Sequence, residues 1–337
     1  MLIADAHLDL AYNAVRGRDV LRPAAEQQGD EEGIPTVGLP DLRAGGVGLV
    51  CGTIFCAPSI DGKPGYRTPD EARDEAMKQL DWYRAQERSR RMRFVRHPGD
   101  LPHPSDLIPP GAPQPFVMLL EGADPIRSPD EVRTWFDAGL RAVGLAWKRT
   151  RHAGGTGAPG PLTPEGVRLV AELDKFGIVH DASHLAEESF WQLLDVSGGP
   201  VMASHSNCRA IVPTDRQLSD DMIRAIVARG GVIGINFFDK FLIPPSEYGR
   251  RRAGLADVVR HIQHVCDLAG DTAYVGLGTD MDGGLGREQI PQEITTSADL
   301  PRVAEALASA GFNDEDVRRI TGANWVHFFA RSLPHSA

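Results

Sequence analysis

The sequence contains few cysteines, no long apolar run and no basic cluster, and each absence excludes a class of protein. Four cysteines occur in 337 residues, with no Cys-x-x-Cys pair, so the chain is not a disulfide scaffold. No segment reaches the roughly 18 apolar residues that a membrane-spanning helix requires. Acidic residues outnumber basic ones by 46 to 36 with no basic run, which argues against nucleic acid as a partner.

The N-terminal segment, MLIADAHLDL, lacks the basic region and long apolar stretch of a secretion signal. We therefore expect a cytoplasmic protein whose cysteines are reduced and mostly buried, as small hydrophobic residues tend to be. Hydrophobic residues make up 42% of the chain and charged residues 24%, which is ordinary for a soluble protein with a sizeable core.

Eight short apolar runs recur along the chain, separated by helix patterns. Runs that are apolar nearly throughout are typical of strands buried on both faces of a parallel sheet. Alternating strands and helices predict βαβ units, and eight strands in a chain of this length favour a (β/α)₈ TIM barrel, with residues 1–337 as one catalytic domain. The runs are residues 2–6, 47–55, 116–120, 142–147, 177–180, 200–203, 231–237 and 274–277.

The helix patterns between these runs carry capping signals. Ser128-Pro129-Asp130-Glu131 combines a cap, a proline and two acids, and Thr163-Pro164-Glu165 repeats the device. Further helices are predicted over residues 68–91, 219–228 and 255–268, the last two followed by glycines at 230 and 270.

Histidines and carboxylates follow the carboxyl ends of five of the eight runs. Barrel enzymes place their active sites at that end of the strands, so we expect these side chains to converge on one mouth. His7 and Asp9 are two residues apart, which on a strand directs both side chains to the same face and lets one metal ion take both. The six residues are His7, Asp9, Glu121, His184, His205 and Asp280.

Together the six residues predict a site for two divalent cations. Imidazole and carboxylate ligands suit zinc, and also manganese, cobalt or nickel. Three buried carboxylates would be costly without compensation, and two divalent ions with one bridging hydroxide bring the sum of charges to zero. Any one of these histidines alone would be interpreted as a hydrogen-bonded structural residue. Five strand ends with the same chemistry favour the metal interpretation.

Taken in order, the motifs His-x-Asp, Glu-Gly, Asp-x-Ser-His, Ser-His-Ser and Gly-x-Asp-x-Asp-Gly resemble those of the membrane (renal) dipeptidase family of binuclear zinc peptidases. The resemblance extends from about Leu2 to the region of Asn324. It implies two Zn²⁺ ions per chain, for which Co²⁺ or Mn²⁺ could substitute. One ion would be bound by His7, Asp9 and Asp280, the second by His184 and His205, and Glu121 would bridge both.

The resemblance also implies substrate contacts. Arg216 falls where the family has an arginine that holds the substrate carboxylate. Trp147 stands where the best-known animal members have a substrate-contacting histidine, and Phe238 stands where they have a tyrosine, so both bear on specificity. His152, in a glycine-rich loop after the fourth run, is a further candidate for substrate contact.

The expected activity is hydrolysis of small dipeptides, including those with a D-residue at the C-terminal position, by a metal-bridging hydroxide. Asp280 is the candidate to move a proton to the leaving amine, with Asp282 as second choice. The expected partner is a small dipeptide-like substrate, without nucleic acid or membrane, and family resemblance favours a homodimer. Two alternatives stay open: the same frame could hydrolyse an N-acyl amino acid, β-lactam or lactone, or the barrel could bind metal without catalysis.

Overall fold

A parallel sheet forms the centre of the protein. The computed structural model describes residues 1–60 and 62–335. Every pairing between the named strands of those residues is parallel. The strands are β1 (Ile3–Leu8), β2 (Val47–Phe55), β3 (Met92–Phe94), β4 (Gln114–Glu121), β5 (Leu140–Gly144), β6 (Val179–Asp181), β7 (Val201–Met202), β8 (Ile233–Ile235) and β9 (Val275–Leu277).

Eight of these strands follow one another around the barrel in the order β7-β6-β5-β4-β2-β1-β9-β8. The two ends of that series meet, because Ala203, directly after β7, forms a parallel bridge with Ile233 of β8. The Gly234 amide donates to the Ala203 carbonyl oxygen at 2.8 Å and closes the ring. All eight strands expected from the apolar runs are present, and the predicted (β/α)₈ barrel is confirmed.

One strand was not expected. β3 pairs with β4 on the outside of the series, with Met92 opposite Gln114 and Phe94 opposite Phe116. It consists of only three residues, Met-Arg-Phe, and such a short segment carries no periodicity that distinguishes a strand from a loop.

Helices connect the strands and cover the barrel. A π-helical turn, Arg319–Ala323, precedes the last of them. The helices of the described residues are α1 (Leu10–Val15), α2 (Leu39–Ala44), α3 (Pro69–Arg88), α4 (Val132–Asp137), α5 (Pro164–Lys175), α6 (Glu187–Val196), α7 (Asp220–Ala228), α8 (Asp239–Leu242), α9 (Leu255–Ala269), α10 (Pro301–Ser309), α11 (Asp314–Arg318) and α12 (Asn324–Ser332).

The capping signals act largely as expected. The side chains of Thr68, Thr163 and Ser219 accept hydrogen bonds from backbone amides in the first turns of α3, α5 and α7. Gly270 ends α9 in the left-handed conformation, with φ of 69°. Ser128 departs from the expectation, since it caps a single 3₁₀ turn that leads into the short α4.

The core has two sides, and β4 shows them clearly. Its residues Phe116, Met118 and Leu120 pack in the larger apolar cluster, whereas Val117 and Leu119 belong to a second cluster. The second cluster also contains Trp325, Phe328 and Phe329 of α12. Both faces of β4 are therefore buried, as its continuous apolar sequence predicts. Glu121, at the end of β4, follows Val117 and Leu119 on the alternation of the strand.

All four cysteines are free and buried, in agreement with the sequence. Within residues 1–60 and 62–335, every helix is too short or too polar to cross a bilayer.

Two glycines set the spacing at the closure of the barrel. A Cβ atom at Gly278, just after β9, or at Gly234 in β8 would overlap the backbone carbonyl oxygen of Ser204. We predict that Gly278→Ala lowers the free energy of unfolding by about 1–3 kcal/mol, because a clash with backbone cannot be relieved by a rotamer change. Denaturant unfolding measures this effect. Gly99→Ala is the control, since no heavy atom lies within 4 Å of its added Cβ, and equal stability of the two variants would contradict the close packing.

Candidate metal centre

The six residues singled out by the sequence lie together at the carboxyl ends of the strands. His7 is within β1 and Glu121 is the last residue of β4. The other four follow β1, β6, β7 and β9 by one to three residues. All are buried except His184, whose side chain is 9% exposed. The barrel therefore positions one polar cluster at its mouth, built from five separate strands.

Glu121 lies at the centre of this cluster. Its Oε2 atom is 3.4 Å from Nε2 of His7, while Oε1 is 3.2 Å from Nε2 of His184 and 3.5 Å from Nε2 of His205. The Nε2 atoms of His184 and His205 are themselves 3.0 Å apart. The two oxygens of one carboxylate thus face different histidines.

The oxygen facing His7 belongs to a second group of acids. Nε2 of His7 lies 4.0 Å from Oδ1 of Asp9 and 4.0 Å from Oδ1 of Asp280. Two sets of potential metal ligands occur here, and the ligand atoms within each set lie within 4.8 Å of one another. One set is His7, Asp9 and Asp280, and the other is His7, Glu121 and His205. Each set offers enough ligand atoms to hold a metal ion, and His7 belongs to both.

Burial and mutual repulsion perturb the acids. Burial raises the pKa of Asp9 to about 7 and that of Asp280 to about 8, and the Glu121 carboxylate adds to both effects while His7 opposes them. Burial alone would lower the pKa of His7, but the carboxylates of Glu121, Asp280 and Asp9 outweigh it and raise the value to about 10. Without a bound cation, these buried acids are therefore stabilised by protons and by the charge of His7.

The donor set fits divalent cations. Nε2 of His7 is buried and hydrogen-bonds to no other side chain in the described part of the chain. Burial lowers the pKa of His184 and His205 well below its usual range, so both rings are neutral, which is the form that binds metal. Neutral imidazoles and carboxylates that converge on one buried volume are the ligands that zinc prefers in catalytic sites.

Neutral donors bind two of the three carboxylates. The Asn236 amide donates to Oδ2 of Asp280 at 2.9 Å, and the Thr53 hydroxyl donates to Oδ1 of Asp9. Neither residue was identified from the sequence. A signal existed, because Asn236 and Thr53 are polar residues within otherwise apolar runs, where a buried polar group requires a partner.

Three residues of this region adopt the left-handed conformation that glycine normally occupies. The φ angles are 65° for His184, 59° for Asp280 and 64° for Asp282. Such conformations cost of order 1–3 kcal/mol each and concentrate at functional sites. The sharp turns they produce direct His184 and Asp280 back over the ends of β6 and β9.

Arg216 lies beside the cluster and is buried. Its terminal nitrogens donate to the Ser206 hydroxyl at 3.0 Å and to the His205 carbonyl oxygen at 2.6 Å. Its Nε atom has no hydrogen-bond partner within the described residues. Burial lowers the pKa of Arg216, while the charges of Asp280 and Glu121 oppose this.

Trp147 and Phe238 lie at two sides of the mouth. The Trp147 ring is 6.2 Å from the His184 ring and packs edge-on against Phe55 at 5.3 Å. The Phe238 ring packs against Phe241 at 4.9 Å, and Phe241 lies beneath the Arg216 guanidinium at 5.2 Å. Both aromatic residues are partly exposed, as a surface that contacts substrate requires.

His152 and Asp282 are not part of the six-residue cluster. His152 is fully buried, its carbonyl oxygen accepts from Thr163 at the start of α5, and burial lowers its pKa to about 3. No hydrogen bond or ring contact of the described residues joins it to the six-residue cluster. Asp282 accepts from Thr36 and Val37 amides and lies 3.4 Å from Arg18, so its carboxylate ties down a loop and is turned away from proton transfer.

Comparisons with known proteins show which family the chain is similar to. Residues 1–332 match the membrane dipeptidase family, peptidase family M19. A solved dipeptidase of family M19 is 27% identical, with a TM-score of 0.83 and 99% of each chain covered. A metallopeptidase from Rhodobacter sphaeroides, solved with a phosphinate mimic of the dipeptide L-Ala-D-Ala, is 26% identical, with a TM-score of 0.84 and 99% of each chain covered.

One curated relative is longer than this chain. An uncharacterized dipeptidase of Schizosaccharomyces pombe is 29% identical over 228 residues, which are 65% of this chain and 54% of that protein. The aligned part of the chain thus spans about half the length of this relative.

The position of Glu121 between two sets of ligands generates a prediction. We expect the wild-type protein to contain close to two metal ions per chain, and Glu121→Gln to lose both ions and all turnover, because one carboxylate serves both positions. Elemental analysis of the purified proteins measures the content. Glu188→Gln, an exposed carboxylate on α6, is the control. A Glu121→Gln protein that retained two ions and activity would refute the bridge.

Proposed function

The chain belongs to the membrane dipeptidase family, and on this premise we propose that it is a dipeptidase that requires two zinc ions. The family implies a metal cofactor. The observation that carries the proposal is the pair of Glu121 oxygens, one 3.4 Å from Nε2 of His7 and the other within 3.5 Å of Nε2 of both His184 and His205. This arrangement supports two adjacent metal positions with one shared carboxylate.

The proposed ligands divide between the two positions. His7, Asp9 and Asp280 hold one ion, His184 and His205 hold the other, and Glu121 joins them. When bound, the ions supply Lewis acidity toward the scissile carbonyl and lower the pKa of water to roughly 7. The chain itself supplies a buried frame in which the ligands are oriented before substrate arrives.

Arg216 is proposed to bind the substrate carboxylate. A guanidinium has five N–H donors, and the structure uses only two of them, toward Ser206 and His205. The remaining donors include the buried Nε–H, which has no partner in the described part of the chain. A substrate carboxylate matches two N–H donors of a guanidinium in charge and geometry. Binding there selects a substrate with a free C-terminus, such as a dipeptide.

Asp280 is proposed to move the proton to the leaving amine. The Asn236 amide holds its Oδ2 atom, which leaves Oδ1 facing the cluster, 4.0 Å from Nε2 of His7. A carboxylate fixed at Oδ2, with Oδ1 beside the ion that it would help to hold, is placed to accept a proton there and release it without rotating.

The aromatic residues are proposed to contact the substrate side chains. Trp147 and Phe55 form a wall beside His184, and Phe238 lies near Arg216 through Phe241. Dipeptides with a D-residue at the C-terminal position are included among the substrates, since the relative from Rhodobacter sphaeroides binds a mimic of L-Ala-D-Ala. His152 is left out of this set because of its position.

The proposal extends to the setting of the enzyme. We propose one catalytic domain over residues 1–337, located in the cytoplasm and assembled as a homodimer. Cell fractionation and light scattering of the full chain test these points.

A substrate panel tests the activity. The purified protein, loaded with zinc, cobalt or manganese, is offered L-Ala-L-Ala, L-Ala-D-Ala, N-acetyl-L-alanine and a simple lactone. Hydrolysis of the dipeptides that a chelator abolishes supports the proposal. Preference for the N-acyl amino acid or the lactone would assign the frame to another reaction, and no hydrolysis by a protein with two ions would indicate a non-catalytic metal-binding barrel.

The proposed role of Arg216 generates a second prediction. Loss of a charge-assisted hydrogen bond costs about 1.5–3 kcal/mol, so Arg216→Ala should lower kcat/KM for dipeptides roughly 10- to 100-fold, mainly through KM. Steady-state kinetics on L-Ala-L-Ala and on its C-terminal amide measure this. The amide should lose much less than the dipeptide.

Arg224→Ala, an exposed position on α7, is the matched control and should leave both substrates unaffected. An equal loss of kcat/KM on the dipeptide and its amide in Arg216→Ala would contradict the role.

A further inference from the structure

Ser204 lies behind two of the proposed metal ligands. It follows β7, and its side chain is fully buried. The Oγ atom is 3.1 Å from Nδ1 of His7 and 2.7 Å from Nδ1 of His205. The same Oγ atom donates to Oδ2 of Asp181 at 2.6 Å. One hydroxyl thus connects histidines from two strands, and in the proposed site these histidines serve different ions.

The valence of a hydroxyl determines the direction of these hydrogen bonds. A serine has one proton to donate and two lone pairs that accept. Ser204 donates its hydroxyl hydrogen bond to Asp181, because a carboxylate can only accept. Both histidine contacts must then run from Nδ1–H to Ser204, so both rings carry their proton on Nδ1. With a metal ion bound, the Nε2 atom of each ring would be the unprotonated ligand atom, and it is Nε2 that faces Glu121 in both cases.

Asp181 is held firmly enough to fix the direction. Its Oδ1 atom accepts from the backbone amides of Ser183 and Ser204 at 3.0 and 2.8 Å. Its side chain is buried, and no Lys or Arg of the described residues forms an ion pair with it.

We propose that Ser204, oriented by Asp181, is a positioning residue that fixes the ring orientation and tautomer of one histidine in each half of the metal site. This inference rests on the proposed two-metal function. Metal-binding histidines usually donate their second N–H to a carboxylate or carbonyl, and loss of that partner typically costs 10–100-fold in metal affinity. Here one hydroxyl serves in place of two such partners, so its removal should weaken metal binding at both positions together.

His184 provides an internal contrast. Its Nδ1 atom is 3.0 Å from the Thr156 hydroxyl and makes no bond with Ser204 in the described structure. Thr156 therefore supports one ligand of one position. Removal of the Thr156 hydroxyl should weaken metal binding at one position, whereas removal of the Ser204 hydroxyl should weaken it at both positions.

The experiment measures Zn²⁺ affinity in the full chain. Wild type, Ser204→Ala, Thr156→Ala and Ser197→Ala are stripped with a chelator and titrated with Zn²⁺ against a chromophoric competitor. Ser197→Ala is the matched control, because Ser197 donates to Asp174 in a similar part-buried bond that precedes β7 at the other end of the strands. Thermal unfolding of the metal-free proteins measures any loss of fold.

We expect Ser204→Ala to lose about 10- to 100-fold in affinity at both positions, Thr156→Ala to lose it at one, and Ser197→Ala at neither. Ser204→Thr, which keeps the hydroxyl, should recover most of the affinity. Unchanged affinity in a folded Ser204→Ala protein, or a loss confined to one position, would overturn the inference while the proposed dipeptidase function stands. Wild type that binds two ions but cleaves no dipeptide would overturn the function alone.

A spectroscopic readout covers the case in which Ser204→Ala folds poorly. In the Co²⁺-loaded wild type, the Nδ1–H protons of His7 and His205 should appear as two shifted NMR signals that exchange slowly with solvent, because each is buried against Ser204. Asp181→Asn should keep the fold intact and should speed the exchange of both Nδ1–H protons with solvent. Rapid exchange of both signals in the wild type would contradict the proposed hydrogen bonds.

Discussion

Three carboxylates buried at the mouth of one barrel repel one another, and the residues around them are arranged to hold them in place without neutralising them. Asp9 is held by a threonine hydroxyl and Asp280 by an asparagine amide, both neutral donors. Asp282, only two residues further along, has a guanidinium at 3.4 Å and three backbone or hydroxyl donors. Its charge is compensated within the protein. The contrast supports the proposal that Asp9 and Asp280, and not Asp282, bind cations.

The backbone enforces this separation. Asp280 and Asp282 both lie in the left-handed region, and a Cβ on Gly283, which follows directly after them, would overlap Oδ1 of Asp280. Two residues of strained backbone thus send neighbouring carboxylates in different directions, one to the cluster and one to the loop of Thr36 and Val37. Strain of this kind persists only where surrounding contacts over-determine it. The hydrogen bonds of Asp282 to that loop supply such contacts, so the loop stabilises the turn that presents Asp280.

The sequence predicts the barrel because each strand is buried on both faces and therefore apolar throughout, and it predicts the cluster because polar residues stand at the strand ends. It fails where the signal is short or distant. β3 has three residues, too few for a pattern. The hydrogen bond from His7 to Ser204 spans 197 positions, so the role of Ser204 follows only from the fold. The burial of His152 is also hidden from the sequence, since a polar residue in a glycine-rich loop can be turned inward, which spacing alone does not reveal.

Two departures from the animal enzymes illustrate how specificity can change while the metal site stays intact. The backbone amide of Phe238 donates to the Asn236 side chain, which in turn holds Asp280. The carbonyl oxygen of Trp147 accepts from Thr156, whose hydroxyl contacts His184. Both residues thus support the cluster through backbone atoms that every amino acid except proline provides. Their side chains are not used in that support and point to partly exposed aromatic surfaces. A different side chain at either position therefore leaves these backbone contacts to the cluster unchanged.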